Sequence, residues 1–458
     1  MIQKTVEQLV KMINIENDVT QWHDRSIKGV SIDSRNVEGG CLFVPLAGEN
    51  TDGHKYVRQA IEHGAGAALW QKNIPGAPDD LPVLIVEDTL LALQQMSKSY
   101  RDSLEVKVVG ITGSNGKTTV KDMAASVFAQ KYRVQKTEGN FNNHIGLPLT
   151  MLSLCEDTEI AILEMGMSGR GEIELLSKLA SPDAAIITNI GESHLKDLGS
   201  REAIAEAKLE ITEGLSEEGM LLYLGDEPLL SEKIDDEVPF RTKTFGVEET
   251  NDVYPVLIEQ TESGSAFSIN QAPSVRFELP VLGQHNVTNA LAAVSAASLF
   301  NVPFTAMAEG LRKVELTKMR MEWVDGKNGM KIINDAYNAS PTSVKAAVSL
   351  VSDLPSQSKK IIVLGDMLEL GLDEELFHYQ TGQSIDPDKI DYVFTYGALG
   401  QFIASGAKGA FGTERVFSFQ DKNELIQSLE NILEGGELIL VKASRGMKLE
   451  EVVDSLSH

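Results

Sequence analysis

The chain has 458 residues, enough for two to four domains at roughly 100–200 residues per domain. Hydrophobic residues make up 42% and charged residues 24%, as in soluble globular proteins, which excludes a largely disordered chain. The formal net charge of −26 argues against a nucleic-acid binder with a broad basic surface, although a few local cations could still bind an anionic substrate.

The two cysteines, Cys41 and Cys155, lie far apart and lack the spacing of metal ligands. We therefore predict neither a disulfide framework nor a structural zinc site, and we expect both thiols to be buried. The N-terminus lacks the apolar segment of a signal peptide, and no apolar run approaches the ~20 residues of a transmembrane helix. These features predict a cytoplasmic protein with no membrane insertion.

The first region, residues 1–102, mixes short strands with helices and is predicted to be a small α/β domain. Its predicted strands cover residues 31–33, 41–46, 67–70 and 83–86. Its predicted helices cover residues 55–63 and 90–100, and the second of these leads into the next region.

The second region, residues 103–315, alternates short apolar runs with helices, which indicates a parallel sheet covered on both faces. The apolar runs cover residues 106–111, 160–163 and 184–187. The first helix has the spacing i, i+3, i+4, i+7, i+8, at Val120, Met123, Ala124, Val127 and Phe128. Scattered strands over residues 220–282 indicate a β-rich addition, and an Ala-rich helix over 286–300 closes the region.

The third region, residues 316–458, is predicted to be a second α/β unit of Rossmann-like type. Its predicted strands cover residues 330–334, 361–364, 392–395 and 438–441. A helix is predicted over residues 340–350, with Ser340 as N-cap and Pro341 at the first helical position.

A glycine-rich loop over residues 110–119 joins a predicted strand to a predicted helix. Backbone N–H groups in such a loop attract phosphate oxygens, Lys117 neutralises the β- and γ-phosphates, and the Thr118 hydroxyl can ligate Mg²⁺. The loop departs from the strict Walker pattern, which places glycine where Ile111 stands. The alternative is a glycine-rich turn with an exposed lysine. A phosphate loop alone leaves GTPases, kinases, transport ATPases and ligases open.

Three further side chains lie where ligands bind open parallel sheets, near the carboxyl ends of strands. Glu164 follows one strand and is either a hard oxygen ligand for Mg²⁺ or an ordinary surface carboxylate. His194 follows another strand and is either a site residue or a structural histidine. Lys208 falls within the apolar stripe of a predicted helix, so it either extends to water or is desolvated with a lowered pKa. A neutral amine near a metal can react with CO₂ to form a carbamate.

Polar clusters end three predicted strands of the third region. They comprise residues 335–341, 365–371 and 442–446. Each cluster alone could be an ordinary loop, but together they suggest a second ligand face that closes over the first.

These motifs resemble the Mur ligase family over nearly the whole chain. The loop at residues 112–119 is similar to the family's phosphate loop, and residues 283–289 resemble its central nucleotide motif. Glu164, His194 and Lys208 match the family's magnesium-site positions, and Lys208 matches its carbamylated lysine. The resemblance therefore favours a carbamate at Lys208.

The resemblance implies a role for each matching residue. Catalytic roles are implied for Lys117, Lys208, His194 and Glu164. Metal ligands are implied at Thr118, Glu164, His194 and Lys208 as its carbamate. Nucleotide contacts are implied for Gly113, Asn115, Gly116, Lys117, Thr118, Thr119, Asn143, Asn289, Arg320, Asp335 and Asn338. Substrate contacts are implied for Ser34, Arg35, Asp52, His54, Thr137, Asn140, Asn142, Arg170, Ser444 and Arg445.

Four segments resemble the family member that adds D-alanyl-D-alanine, at residues 139–148, 164–168, 335–341 and 364–371. The Asp-Asn-Pro-Arg segment typical of the member that adds diaminopimelate or lysine is missing from the sequence. The resemblance implies a ligase that joins D-alanyl-D-alanine to UDP-N-acetylmuramoyl-tripeptide through an acyl phosphate. ATP and two Mg²⁺ ions are the implied cofactors.

The same resemblance implies that residues 1–102 bind the UDP-sugar substrate, residues 103–315 bind ATP, and residues 316–458 bind the dipeptide and close on ATP. We expect a monomer with no nucleic-acid partner. The alternatives are the sibling ligase for diaminopimelate or lysine, a folyl-polyglutamate synthetase, which the long N-terminal domain disfavours, and a P-loop NTPase that acts as a switch or transporter subunit.

Overall fold

The computed structural model describes residues 1–48, 51–234, 238–261, 264–356 and 358–457. Three α/β regions follow one another along the chain, and each is built around a parallel or largely parallel sheet. This arrangement confirms the predicted fold class. Within the described residues, no helix is both long and apolar enough to cross a membrane.

The N-terminal region contains a four-stranded parallel sheet of order β3-β4-β5-β6 and a separate antiparallel pair, β1-β2. Its strands are β1 Gln3–Thr5, β2 Ser26–Lys28, β3 Val30–Ser31, β4 Leu42–Phe43, β5 Ala67–Gln71 and β6 Val83–Val86. Its helices are α1 Val6–Val10, α2 Val57–Glu62 and α3 Thr89–Asp102.

Four predictions for residues 1–155 need correction. The strands predicted at 31–33 and 41–46 are only two residues long each, β3 and β4. The helix predicted from residue 55 begins at Val57, because Gly53–Tyr56 forms a tighter 3₁₀ turn capped by Asp52. Cys41 is buried as predicted, but Cys155 is exposed, so the prediction of two buried thiols was wrong for Cys155.

The central region contains a six-stranded parallel sheet of order β12-β11-β10-β7-β9-β8 and a three-stranded antiparallel sheet, β13-β14-β15. Its strands are β7 Lys107–Thr112, β8 Val134–Lys136, β9 Ile160–Glu164, β10 Ala184–Ile187, β11 Met220–Leu224, β12 Arg241–Phe245, β13 Pro255–Thr261, β14 Gly264–Ile269 and β15 Ala272–Leu279. Its helices are α4 Lys117–Phe128, α5 Gly146–Ser153, α6 Glu172–Ala180, α7 Leu195–Leu198, α8 Arg201–Leu209, α9 Pro228–Ser231, α10 Gln284–Leu299 and α11 Phe304–Arg312.

Helices cover both faces of the central sheet, as the continuous apolar runs predict. Alternate residues of β7 enter different cores: Val108 packs on the side shared with the N-terminal region, and Val109 packs with α4 and α10 on the other. Because the strands are parallel, the carboxyl ends of β7, β9 and β10 meet at one edge. That edge carries the glycine-rich loop.

The C-terminal region contains a six-stranded sheet of order β16-β17-β21-β18-β19-β20, parallel except for β16. Its strands are β16 Glu322–Asp325, β17 Lys331–Asp335, β18 Lys360–Gly365, β19 Tyr392–Tyr396, β20 Val416–Phe419 and β21 Leu438–Lys442. Its helices are α12 Pro341–Asp353, α13 Glu374–Gln383, α14 Gly400–Phe411, α15 Lys422–Glu430 and α16 Glu450–Ser457. Ser340 caps α12, and Pro341 is its first residue, as predicted.

Candidate active site

The glycine-rich loop lies between β7 and α4 and is held close to its neighbours. Gly113 has φ +148°, and a Cβ there would lie 1.8 Å from Thr188 Oγ1. Gly116 has φ +81°, and a Cβ there would lie 2.5 Å from Asn289 Oδ1. Both positions therefore require glycine, for the backbone conformation and for the close approach. The loop presents its N–H groups at the start of α4.

Lys117, the first residue of α4, places its ammonium over this loop. Its Nζ donates a hydrogen bond to the carbonyl oxygen of Gly113 at 2.7 Å. Burial lowers the pKa of Lys117, the nearby Glu164 opposes that shift, and Arg320 adds to it. The Lys117 amine is thus held over the loop at a partly buried site, a position suited to polyphosphate.

Four predicted residues form one hydrogen-bonded cluster around Glu164, which is buried at the end of β9. Thr118 Oγ1 donates to Glu164 Oε2 at 2.9 Å, and Asn142 Nδ2 donates to Oε1 at 2.8 Å. Thr137 Oγ1 accepts from the Glu164 backbone N–H at 3.0 Å. Glu164 is therefore no ordinary surface carboxylate. A hydroxyl and a carboxylate in contact beside a phosphate loop are the hard oxygen donors that fit Mg²⁺.

Lys208 and His194 line a second cavity of about 250 Å³, together with Lys117, Asn142 and Asn143. Lys208 is 1% exposed, so the alternative that it extends to water is wrong. Burial, and then the charge of Lys117, lower the pKa of Lys208 well below its usual value. No carboxylate pairs with its ammonium within the described part of the chain. These surroundings favour the neutral form of the amine, which is the form that reacts with CO₂.

The main cleft has a volume of about 400 Å³ and lies between the central and C-terminal regions. Arg320 lies over the ring of Tyr337, with its guanidinium carbon 4.2 Å from the ring centroid. Asp335 pairs with Lys442 at 2.5 Å. The predicted nucleotide residues that line this cleft are Asn115, Gly116, Lys117, Thr118, Thr119, Asn289, Arg320, Asp335 and Asn338. Gly113 and Asn143 line the second cavity instead.

A third cavity of about 250 Å³ lies between His194 and the C-terminal region, and Ser444 and Arg445 line it. His194 Nδ1 lies 2.9 Å from an Oε of Glu369, a residue of the loop after β18. The proximity of the His194 ring lowers the pKa of Glu369. Glu369 has φ +67°, a conformation that is uncommon for residues other than glycine. This conformation of the loop places the Glu369 carboxylate next to His194.

Among the cleft and cavity residues that were not predicted as site residues, three carry a titratable side chain close to a predicted one. Glu369 and Lys442 belong to the polar clusters predicted at strand ends, and His285 belongs to the nucleotide motif. Their positions in the sequence were therefore detectable. The pairing of Glu369 with His194 and of Lys442 with Asp335 was not detectable, because each partner lies in a distant part of the chain.

Seven of the predicted substrate residues do not line these cavities, and one of them, Thr137, is buried against the backbone of Glu164 as described above. Arg35 is exposed and pairs with Asp33 at 2.8 Å, and Arg170 pairs with Glu206 at 2.7 Å. His54 is 3% exposed and accepts a hydrogen bond from the Gln71 backbone N–H at 3.0 Å. The other three are Ser34, which is buried, Asp52, which caps a 3₁₀ turn, and Asn140, which is exposed.

Comparison with known proteins matches three successive segments to Mur ligase domains. Residues 26–101 match the catalytic domain of the Mur ligase family, residues 111–297 match the middle domain, and residues 319–445 match the glutamate ligase domain. The chain is 52% identical to the UDP-N-acetylmuramoyl-tripeptide–D-alanyl-D-alanine ligase of Bacillus subtilis (strain 168), over 100% of this chain and 99% of that one. The chain belongs to the Mur ligase family.

More distant members of the family agree with this assignment. The Escherichia coli (strain K12) UDP-N-acetylmuramoyl-tripeptide–D-alanyl-D-alanine ligase is 34% identical, over 100% of this chain and 99% of that one. A crystal structure of MurF from Acinetobacter baumannii superposes with a TM-score of 0.91 at 30% identity, over 100% and 99% of the two chains. The Thermotoga maritima MurF ligase in complex with ADP gives a TM-score of 0.82 at 27% identity, over 96% and 98%.

Proposed function

We propose that this Mur ligase uses ATP to join D-alanyl-D-alanine to UDP-N-acetylmuramoyl-tripeptide in the synthesis of peptidoglycan precursors. The observation that carries the proposal is that the three cavities are contiguous. Lys117 and Asn142 line both the main cleft and the second cavity, and His194 lines both the second and the third. A nucleotide, a carboxylate and an amine can therefore meet at one place. An NTPase switch needs only the first of these sites.

Activation of the carboxylate is the first chemical task, because oxide is a very poor leaving group. Transfer of the γ-phosphoryl group of ATP to the tripeptide carboxylate forms an acyl phosphate and releases ADP. Loop N–H groups and Lys117 neutralise the charge of the transferred group, which is the main contribution that a protein makes to phosphoryl transfer. The dipeptide ammonium loses a proton to become an amine, the amine nitrogen bonds to the acyl carbon, and the bond from that carbon to the phosphate oxygen breaks. Phosphate leaves, and the nitrogen releases a second proton as the amide forms.

The donor sets described above fit Mg²⁺, and we assign Thr118 and Glu164 to one ion and His194 with carbamylated Lys208 to another. Such ions supply charge neutralisation for phosphoryl transfer. The carbamate forms when the neutral Nζ of Lys208 bonds to the carbon of CO₂ and releases one proton. It converts an unpaired buried amine into an oxygen ligand.

The third cavity suits a dipeptide with charges at both ends. Arg445, which also pairs with Glu450, offers a cation for the carboxylate, and Glu369 offers an anion for the ammonium. The Ser444 hydroxyl accepts a hydrogen bond from the Leu368 backbone N–H at 2.9 Å, which fixes the cavity wall. The free ligand is a zwitterion, so this pair of charges matches it.

We further propose the division of labour implied by the sequence. Residues 1–102 bind the UDP-sugar end of the substrate, residues 103–315 bind ATP, and residues 316–458 bind the dipeptide and close on ATP. The predicted substrate contacts that line none of the three cavities remain predictions, namely Ser34, Arg35, Asp52, His54, Thr137, Asn140 and Arg170. The enzyme is proposed to act in the cytoplasm as a monomer.

The test is phosphate release from Mg²⁺-ATP, measured with UDP-N-acetylmuramoyl-tripeptide and D-alanyl-D-alanine supplied together and separately. We expect release only when both are present, with a pentapeptide product identified by mass. Phosphate release with diaminopimelate or lysine and a UDP-linked dipeptide would instead identify the chain as the sibling ligase. Release that needs neither substrate would contradict the proposal.

A further inference from the structure

A buried carboxylate outside the three cavities connects the phosphate-loop helix to the C-terminal region. Asp122 lies on α4, and its side chain is completely buried. Its Oδ2 accepts two hydrogen bonds from Thr317, from the backbone N–H at 2.9 Å and from Oγ1 at 2.8 Å. Its Oδ1 accepts from Lys136 Nζ at 2.6 Å. Both of its oxygens are therefore occupied.

The charge of Asp122 is maintained by its surroundings. Burial alone would raise the pKa of Asp122, but Lys121, Lys136 and the Thr317 hydroxyl outweigh burial, so the pKa lies below its usual value. Hydrogen bonds to an ionised acceptor are shorter and stronger than those between neutral groups. Asp122 thus holds Thr317 firmly to the helix that begins with Lys117.

Thr317 belongs to the linker between α11 and β16, residues 313–321, which joins the central region to the C-terminal region. Arg320 follows three residues later and reaches the main cleft. Its two neighbours have left-handed backbones, with φ +61° at Met319 and +53° at Met321. Such conformations in non-glycine residues persist only where the surrounding structure holds them.

The linker is also held from its other side. Asp335 Oδ1 accepts a hydrogen bond from the Met321 backbone N–H at 3.2 Å, and the Met319 carbonyl accepts one from the Tyr337 N–H at 3.3 Å. These contacts come from the C-terminal region. The hydrogen bonds from Thr317 to Asp122 tie the linker to the phosphate-loop helix itself, next to the apolar packing of Leu316 and Met321 against the core that contains this helix.

We propose that Asp122 is a positioning residue for nucleotide binding, which acts through Thr317 to hold Arg320 in the cleft. The inference rests on the proposed function, because Arg320 is assigned there to the nucleotide. Asp122 itself touches no reactant. Through Thr317, it fixes the position of the Arg320 guanidinium relative to the phosphate-loop helix.

The test measures the dissociation constant for ADP by calorimetry and the KM for ATP in the full-length enzyme. We expect Thr317→Val, which removes one hydrogen bond to the buried carboxylate, to weaken nucleotide binding about threefold to tenfold. Thr317→Ser keeps the hydroxyl and is expected to behave like the wild type. Ser126→Ala is the matched control, because it removes another hydrogen bond of the same helix, from Ser126 Oγ to the Gly310 carbonyl at 2.7 Å, without touching Asp122 or the linker. It is expected to lower the melting temperature and leave nucleotide affinity unchanged.

A double variant separates positioning from general destabilisation. If Thr317 acts through Arg320, then adding Thr317→Val to Arg320→Ala should weaken ADP binding little beyond Arg320→Ala alone. If Thr317→Val fails to fold, Asp122→Asn, which keeps the shape of the side chain, serves in the same cycle.

The inference can fail either alone or together with the nucleotide role of Arg320, and the ADP affinities of the variants distinguish the two cases. A loss with Arg320→Ala and none with Thr317→Val, or fully additive losses in the double variant, would overturn the positioning role alone. Normal ADP binding by Arg320→Ala would remove Arg320 from the nucleotide site and overturn the premise as well.

Discussion

Lys208 offers a test in which activity and stability should change in opposite directions. The side chain is 1% exposed, burial and Lys117 disfavour its charged form, and no carboxylate among the described residues forms an ion pair with it. Replacement of an uncompensated buried polar group by an apolar one of similar size stabilises a fold by about 1–3 kcal/mol. Lys208→Met keeps the length of the side chain and removes the amine.

We therefore expect Lys208→Met to raise the free energy of unfolding by about 1–3 kcal/mol, when both proteins are measured in CO₂-depleted buffer. At about 2–4 °C per kcal/mol for a domain of this size, the melting temperature should rise by several degrees. Ligase activity should be lost, because no carbamate can form. Lys178→Met, at an exposed lysine of α6, is the control and should change stability by less than about 0.5 kcal/mol.

Calorimetry and the phosphate-release assay give the two readouts. Full activity in Lys208→Met would refute the carbamate, and a lower melting temperature would refute the argument that the lysine is an uncompensated buried group. Lys208→Ala adds a chemical check, since the smaller side chain leaves space at the site. Activity partly restored there by a small carboxylate such as acetate would support an oxygen ligand at this position.

Three further outcomes are expected. Thr118→Val should lower kcat about 10²-fold with nearly normal ADP affinity, since it removes an oxygen that serves phosphoryl transfer; unchanged kcat would exclude Thr118 from the metal site. Glu369→Gln should raise the KM for D-alanyl-D-alanine about tenfold and leave the KM for ATP unchanged, whereas equal changes in both would contradict an ammonium site. Burial lowers the pKa of His378 below 6.5. The unfolded chain therefore protonates this histidine more readily than the folded chain does, and the free energy of unfolding should decrease as the pH falls below 6.5. In His378→Gln the difference in urea stability between about pH 7.5 and about pH 5.5 should be smaller, and an equal difference would refute this assignment.

Many elements of this fold could be predicted because their signals are local. The helix after the phosphate loop, the strands at Val83–Val86 and Ala184–Ile187, and the cap at Ser340 all follow from residues within a few positions of one another. The two short strands near residues 30 and 42 were overestimated, since an apolar run shows where a strand can form but not how far its partner extends.

The candidate active site shows the same difference between local signals and long-range contacts. The strand-end rule places Glu164, His194 and Asp335 at ligand-binding edges from sequence order alone. It does not state which of them meet. Glu369 was overlooked because its significance lies in a 2.9 Å approach to His194, on a loop of another region.

Periodicity and short motifs are enough to predict the succession of three α/β regions, the position of the phosphate loop and the family to which the chain belongs. The burial of Lys208, and the hydrogen bond that Asp122 accepts from Thr317 across 195 positions, become visible only once the chain is folded. The physical reason is that solvation and charge pairing depend on every group packed around a side chain, and those groups come from distant parts of the chain.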